Sequence, residues 1–228
     1  ILSITHSVVD GFTYYKIMNM LTEGREIDSL SFVRKHEFVS KMKEACGTAE
    51  HKLLLSTGFI LTLLPGMLCG PKAKCDARFI DEEKVRQLKL DIKSRSTTPD
   101  DEFVCSTNDI ITSAFSRATK SEILLMAINL RNRVSEASDN DAGNYESVVL
   151  YDAPGSESPE AVRSALRGGV PFIRRGNAPL PSFFQLLRGV RVSIITNWAF
   201  SSFRADLQML DEEARGVPLT LHLPVYDY

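Results

Sequence analysis

His6-Ser7-Val8-Val9-Asp10-Gly11 is the stretch on which the reading of this chain turns. It follows Ile1-Leu2-Ser3-Ile4-Thr5, an apolar run of the kind that forms a buried strand. It precedes Phe12, Tyr15, Ile17, Met18 and Leu21, which fall mostly on one face of a helix running from Phe12 to about Thr22, with Gly24 as its stop. An imidazole at the end of a strand is held rigidly and still reaches a cleft. It ordinarily titrates near ~6.5, which suits it to take a proton from a hydroxyl, amine or thiol at neutral pH. Gly11 leaves room for backbone or substrate to approach. Asp10 admits two readings. It orients the imidazole or locks the loop through a cation; or it simply caps the following helix, with His6 a core histidine.

The bulk numbers exclude little. A chain of 228 residues, 43% hydrophobic and 25% charged, is ordinary globular usage with enough length for a substantial core. The formal charge of −2 gives no sign of attraction to nucleic acid, and no nucleic-acid partner is expected. Cys46, Cys69, Cys75 and Cys105 lack the paired spacing of a zinc site, so no metal is expected and the thiols read as buried or incidental. No secretory signal opens the chain, and a cytoplasmic location is expected. Because a strand at position 1 has no sheet neighbour before it, the chain reads as a fragment whose upstream part lies elsewhere.

Further on, a charged helix is expected from about Leu30 to Ala45. Leu53 to Leu68 is strongly apolar, but it is shorter than the ~20 residues of a bilayer span and is interrupted by Pro65-Gly66. It reads as a buried segment, or as a peripheral membrane contact that brings a lipid-like substrate close. Ala77 to Ile80 reads as a short strand, and Asp81 as the cap of a helix reaching about Lys93. Ser94 to Glu102 reads as a linker, and Ser106-Thr107 as the start of a helix to about Ala118. Ile123 to Leu130, Tyr145 to Tyr151, Val190 to Trp198 and Leu219 to Leu223 read as strands, and Pro159 to Leu166 as a helix with proline in its first turn. Asp139 and Asp141 lack the glycine and terminal glutamate of a calcium loop and read as a solvated turn. His36 and His51 read as exposed, and His222 as a strand residue facing either way. Interspersed strands and helices put the chain in the α/β class in the loose, α+β sense.

Five segments in order resemble one superfamily. His6 to Gly11 resembles the HxxxDG signature of chloramphenicol acetyltransferases, plant BAHD acyltransferases and peptide-synthetase condensation domains. Ser106-Thr107-Asn108-Asp109-Ile110-Ile111-Thr112-Ser113-Ala114 resembles the BAHD "STND…A" helix, and Ala127-Ile128-Asn129-Leu130-Arg131-Asn132-Arg133 the "VDLRSR" strand. Gly143-Asn144 resembles the "GN" that follows it, and Ile195-Thr196-Asn197-Trp198 the "TSW" segment.

The resemblance implies a chloramphenicol-acetyltransferase-like fold of two related subdomains, here without the N-terminal part of the first. Residues 1–40 would end that subdomain, 41–75 would cross over, and 76–228 would form the second, with about 190–206 crossing back. It implies an acyltransferase that moves an acyl group from acyl-CoA to a hydroxyl or amine of a small-molecule or lipid-like acceptor. His6 would act as general base, with no bound cofactor and acyl-CoA as co-substrate. Asp10 would pair with Arg131, or with Arg133 as second choice, while Thr196 and Trp198 would lie at the substrate or oxyanion position. Two departures stand out. Of the BAHD "DFGWG" loop, Asp206-Leu207-Gln208-Met209-Leu210 keeps only the aspartate, which leaves a non-catalytic binding or scaffold relative as the alternative. Thr5 stands where condensation domains carry another histidine, which argues against peptide-bond synthesis.

Overall fold

Ile123 to Asn129 carries six apolar residues in seven, because the strand they form is covered on both faces. This strand, β1 (Ile123–Asn129), is the middle of a three-stranded sheet. It pairs antiparallel with β2 (Glu146–Asp152), Leu125 opposite Leu150, and parallel with β3 (Val192–Ile195), Leu125 opposite Ile194. The computed structural model describes residues 3–21, 24, 26–27, 29–69 (side chains to 64), 79–95, 105–167, 169–172 and 179–197. These fall into two units: Arg34–Asp139 with Tyr145–Asn197, and the described part of Ile1–Val33 with Asn140–Asn144.

In the larger unit, side-chain alternation along β1 divides the core in two. Leu124, Met126 and Ile128 point to one face, where they meet Phe38, Ala45 and Cys46 of α2 (Phe38–Cys46) and Val162 and Ala165 of α8 (Pro159–Arg167). Ile123 and Leu125 point to the other face. There they meet Leu53 of α3 (Thr48–Leu54), Phe59 of α4 (Thr57–Cys69) and Leu186 of α9 (Phe183–Leu187). Each leucine, isoleucine, valine, phenylalanine or methionine among them contributes about 1.5–3 kcal/mol on leaving water. A smaller cluster of Ile92, Cys105 and Ile110 joins α5 (Glu82–Arg95) to α6 (Thr107–Thr119). A short helix, α7 (Ala153–Ser156), follows β2 and is capped by Asp152. Helices packed on a small mixed sheet make the class α+β, as the sequence predicts.

In the smaller unit α1 (Gly11–Asn19) begins at Asp10, and residues 140–144 run alongside. Ser31 forms a parallel bridge with Asp141: its N–H donates to Asn140 O at 2.8 Å and its O accepts from Ala142 N–H at 2.7 Å.

Several expectations need correction. Residues 3–5 form no strand: the Thr5 carbonyl closes a turn by accepting from the Val8 and Val9 N–H groups at 3.1 and 3.4 Å. The helix expected from Leu30 begins only at Phe38, because the backbone at Ser31 is committed to the bridge. Leu53 to Leu68 is not uniformly buried. It breaks at Leu55-Ser56 into α3 and α4, and Leu55, Ile60, Leu61 and Leu63 are exposed. Pro65 does not end α4, since an interior proline removes one hydrogen bond while the turns on either side persist. Phe79 and Ile80 are exposed and outside any strand, whereas Ala77 lies outside the described residues. Asp81 does cap α5, its Oδ1 accepting from Lys84 N–H at 3.0 Å, and the helix runs on to Arg95. The rest of the expected linker, 96–102, and the expected strand Leu219 to Leu223 lie outside the described residues.

Candidate functional site

The chemistry-bearing segment His6 to Gly11 is a turn that feeds directly into α1. Asp10 is the N-cap residue: it keeps extended backbone, and its Oδ1 accepts from Thr13 N–H at 3.0 Å, satisfying one of the orphan donors of the first turn. Only 1% of Asp10 is exposed, so this carboxylate faces inward. His6 is exposed, four residues before it. The capping reading of Asp10 therefore holds, and the core-histidine reading of His6 does not.

Residues 140–144 hold this turn from the side. The Asp10 N–H donates to Gly143 O at 3.2 Å. Thr13 makes a reciprocal pair with the same residue: its Oγ1 donates to Gly143 O at 3.2 Å and accepts from Gly143 N–H at 3.2 Å. One position on, the Asn144 Nδ2 donates to the His6 carbonyl at 2.7 Å. Lys16 Nζ reaches Asn140 Oδ1 at 3.2 Å from the next turn of α1. Gly143 has φ +149°, a backbone conformation that L side chains rarely adopt, so the residue is glycine for a conformational reason. The two sequence motifs His6–Gly11 and Gly143-Asn144, 138 positions apart at His6 and Asn144, thus meet in one hydrogen-bonded cluster.

The sequence reading missed Thr13, Asn140 and Asp141. Thr13 is 1% exposed, and its hydroxyl is the contact that a helix-face reading cannot foresee. Asp141, expected in a solvated turn, is buried, and Ser31 bridges the backbone groups of Asn140 and Ala142 on either side of it. The signal that could have pointed to this strap was Asn-Asp-Ala-Gly-Asn at 140–144, a polar stretch too small in its side chains to pack and well supplied with hydrogen-bonding groups.

Of the other predicted residues, Arg131, Arg133 and Thr196 belong to the larger unit. Arg131 is 3% exposed, its guanidinium lies 4.9 Å from the Tyr145 ring centroid, and its Nη1 donates to Asn129 Oδ1 at 3.2 Å. Arg133 is exposed, with its guanidinium 5.7 Å from the Phe172 ring centroid. Thr196 is exposed in the segment that leaves β3, and Trp198 lies outside the described residues. So His6, Asp10 and Gly11 come together with Gly143 and Asn144 within the smaller unit, and Arg131, Arg133 and Thr196 lie in the larger one.

The helix of the STND-like segment is α6. Ser106 and Asp109 form a reciprocal capping box, and Asp109 Oδ2 also accepts from Arg163 Nε at 2.7 Å and Nη2 at 2.6 Å. The hydroxyamino acid and aspartate of this segment are thus committed to starting α6 and anchoring α8. Cys105, just before the cap, has its thiol pushed up to about 11 by burial, with the nearby Asp109 and Glu160 carboxylates adding to the effect. That makes it a poor nucleophile at neutral pH.

Of the other histidines, His36 is exposed, and His51 is half-buried with its pKa lowered by burial and by Lys43. His222 lies outside the described residues. Among the described residues there is no cluster of His, Cys, Asp and Glu suited to a metal ion, and no helix long and apolar enough to cross a membrane. Comparison with protein-family models, with curated proteins and with solved structures finds no significant match to this chain.

Proposed function

We propose that this chain carries the general-base histidine of a CoA-dependent acyltransferase with a chloramphenicol-acetyltransferase-like fold. The observation that supports the reading is the meeting of two of its five ordered motifs. Asn144 and Gly143 of the GN pair hydrogen-bond the first and fifth residues of His6 to Gly11. A motif that arose by accident has no reason to be tied at both ends to another member of the same set.

In this reading the His6 imidazole takes the proton from the hydroxyl or amine of the acceptor. The freed lone pair attacks the thioester carbonyl, giving a tetrahedral oxyanion. The C–S bond then breaks, the imidazolium returns its proton to the departing thiolate, and the products are the acylated acceptor and free CoA. Asp10 has no chemical part in these steps; its cap on α1 fixes where the histidine turn leaves the helix. The resemblance assigns Asp10 the further role of counter-ion to Arg131, and gives the oxyanion or substrate contact to Thr196 and Trp198. A lipid-like acceptor, met at a membrane surface, is favoured by the exposed leucine and isoleucine side chains of α4 and its flank.

The test is thiol release from short, medium and long acyl-CoAs by the full-length protein, with alcohol and amine acceptors, before and after His6→Ala. Loss of turnover by about 10²–10⁴-fold with folding preserved is the expected result. Turnover that survives His6→Ala removes His6 as the base. No turnover by the unaltered protein with any acyl-CoA leaves the non-catalytic binding relative as the reading.

A further inference from the structure

We infer that Asn144 is a positioning residue for the His6 imidazole, and that Thr13 completes the device by fixing the backbone from which Asn144 projects. The inference rests on the acyltransferase reading of His6.

The geometry has three parts. First, His6 is in a turn outside any helix or strand, so the direction of its side chain is set by the backbone of residues 5–9. Its carbonyl accepts the Asn144 Nδ2 at 2.7 Å, which fixes the peptide plane next to the imidazole. Second, Asn144 is attached to Gly143, whose N–H and O are both taken by the Thr13 hydroxyl at 3.2 Å. A hydroxyl is the one small group that donates and accepts at once, and valine of the same shape does neither. Third, Thr13 is itself fixed, because it lies in the first turn of α1 with its N–H on the Asp10 cap. The chain of contacts therefore runs from cap to threonine, to glycine, to asparagine, to the histidine carbonyl, with the Asp10 N–H on Gly143 O as a second tie between cap and strap.

Exposure separates positioning from stability. Asn144 and His6 are both exposed, and a hydrogen bond open to water adds little to folding, since water replaces it when it is lost. What water cannot replace is direction. A catalytic group displaced by about 1 Å loses on the order of 100-fold in rate.

The experiment uses the full-length protein and its acyl-CoA thiol release. Asn144→Ala is expected to lower kcat by roughly 10- to 100-fold, with the KM for acyl-CoA and the melting temperature close to those of the parent. Asn144→Asp, which keeps the shape but donates no hydrogen bond, is expected to match Asn144→Ala. Thr13→Val is expected to show the same loss in kcat, and Thr13→Ser, which keeps the hydroxyl, to recover most of it. Parent-like kcat in Asn144→Ala alongside an inactive His6→Ala overturns the positioning role while leaving the base in place. An unchanged His6→Ala overturns the acyltransferase reading itself. A fall in melting temperature that tracks the fall in kcat across the Asn144 variants also overturns the inference, because it makes the contact a stabilising one.

Discussion

Arg163→Ala perturbs the ion pair that ties α8 to the start of α6. Asp109 is fully buried, and its Oδ2 takes four donors: Arg163 Nε at 2.7 Å, Arg163 Nη2 at 2.6 Å, and the Ser106 N–H and Oγ at 2.8 Å each. Removing one partner of a buried pair leaves an uncompensated charge and costs about 3–5 kcal/mol. The Arg163 side chain is 29% exposed, so water can follow into the vacated space, which places the expected cost near the lower end, about 3 kcal/mol. For a chain of this size that corresponds to a fall in Tm of about 6–12 °C. Asp109→Asn keeps the shape and an acceptor for Ser106 but removes the charge, so in that background Arg163→Ala should cost only about 1 kcal/mol. The coupling read from urea unfolding, followed by far-UV circular dichroism across the four proteins, should then be about 2 kcal/mol. A cost below about 1 kcal/mol for Arg163→Ala, with no coupling, would refute the argument that this pair is desolvated enough to matter.

Two further outcomes follow from the structure, beside those given above for His6, Asn144 and Thr13. The Cys105 thiol, pushed up to about 11, holds its proton more tightly than an ordinary thiol. At pH 8 about one molecule in 10³ carries the thiolate, against about one in four for a free cysteine with pKa near 8.5, so alkylation should be roughly 200-fold slower. The rate should rise about tenfold per pH unit until near pH 11, as read by mass spectrometry after iodoacetamide; labelling at the free-cysteine rate at pH 8 would contradict it. The exposed Leu55, Ile60, Leu61 and Leu63 predict co-sedimentation of the full-length protein with liposomes, lost when these four become serine. Absence of binding by the parent protein retires the membrane contact.

The sequence by itself determined the parts of the fold whose signal is local. Ser106-Thr107 announces the start of α6 and Asp81 that of α5, because an N-cap is a local signal; the reciprocal capping box with Asp109 was seen only in the structure. Ile123 to Leu130 reads as a buried strand, and β1 fills all of it but Leu130, because both faces are covered, which leaves a nearly unbroken apolar run. Of the HxxxDG hexapeptide, the helix that follows was legible, with Asp10 as one reading of its cap, whereas the turn in place of a strand end at His6 was not. What only the tertiary structure decided is where backbone groups find distant partners. Thr5 is a turn acceptor rather than a strand residue, Ser31 pairs with 140–142 rather than extending a helix, and Leu53 to Leu68 splits into two helices, with Leu53 and Phe59 against the sheet. The same holds at the site. Thr13 and Asn144 matter through hydrogen bonds to residues more than a hundred positions away, and no periodicity or spacing encodes such contacts, because they are set by which surfaces the folded core brings together.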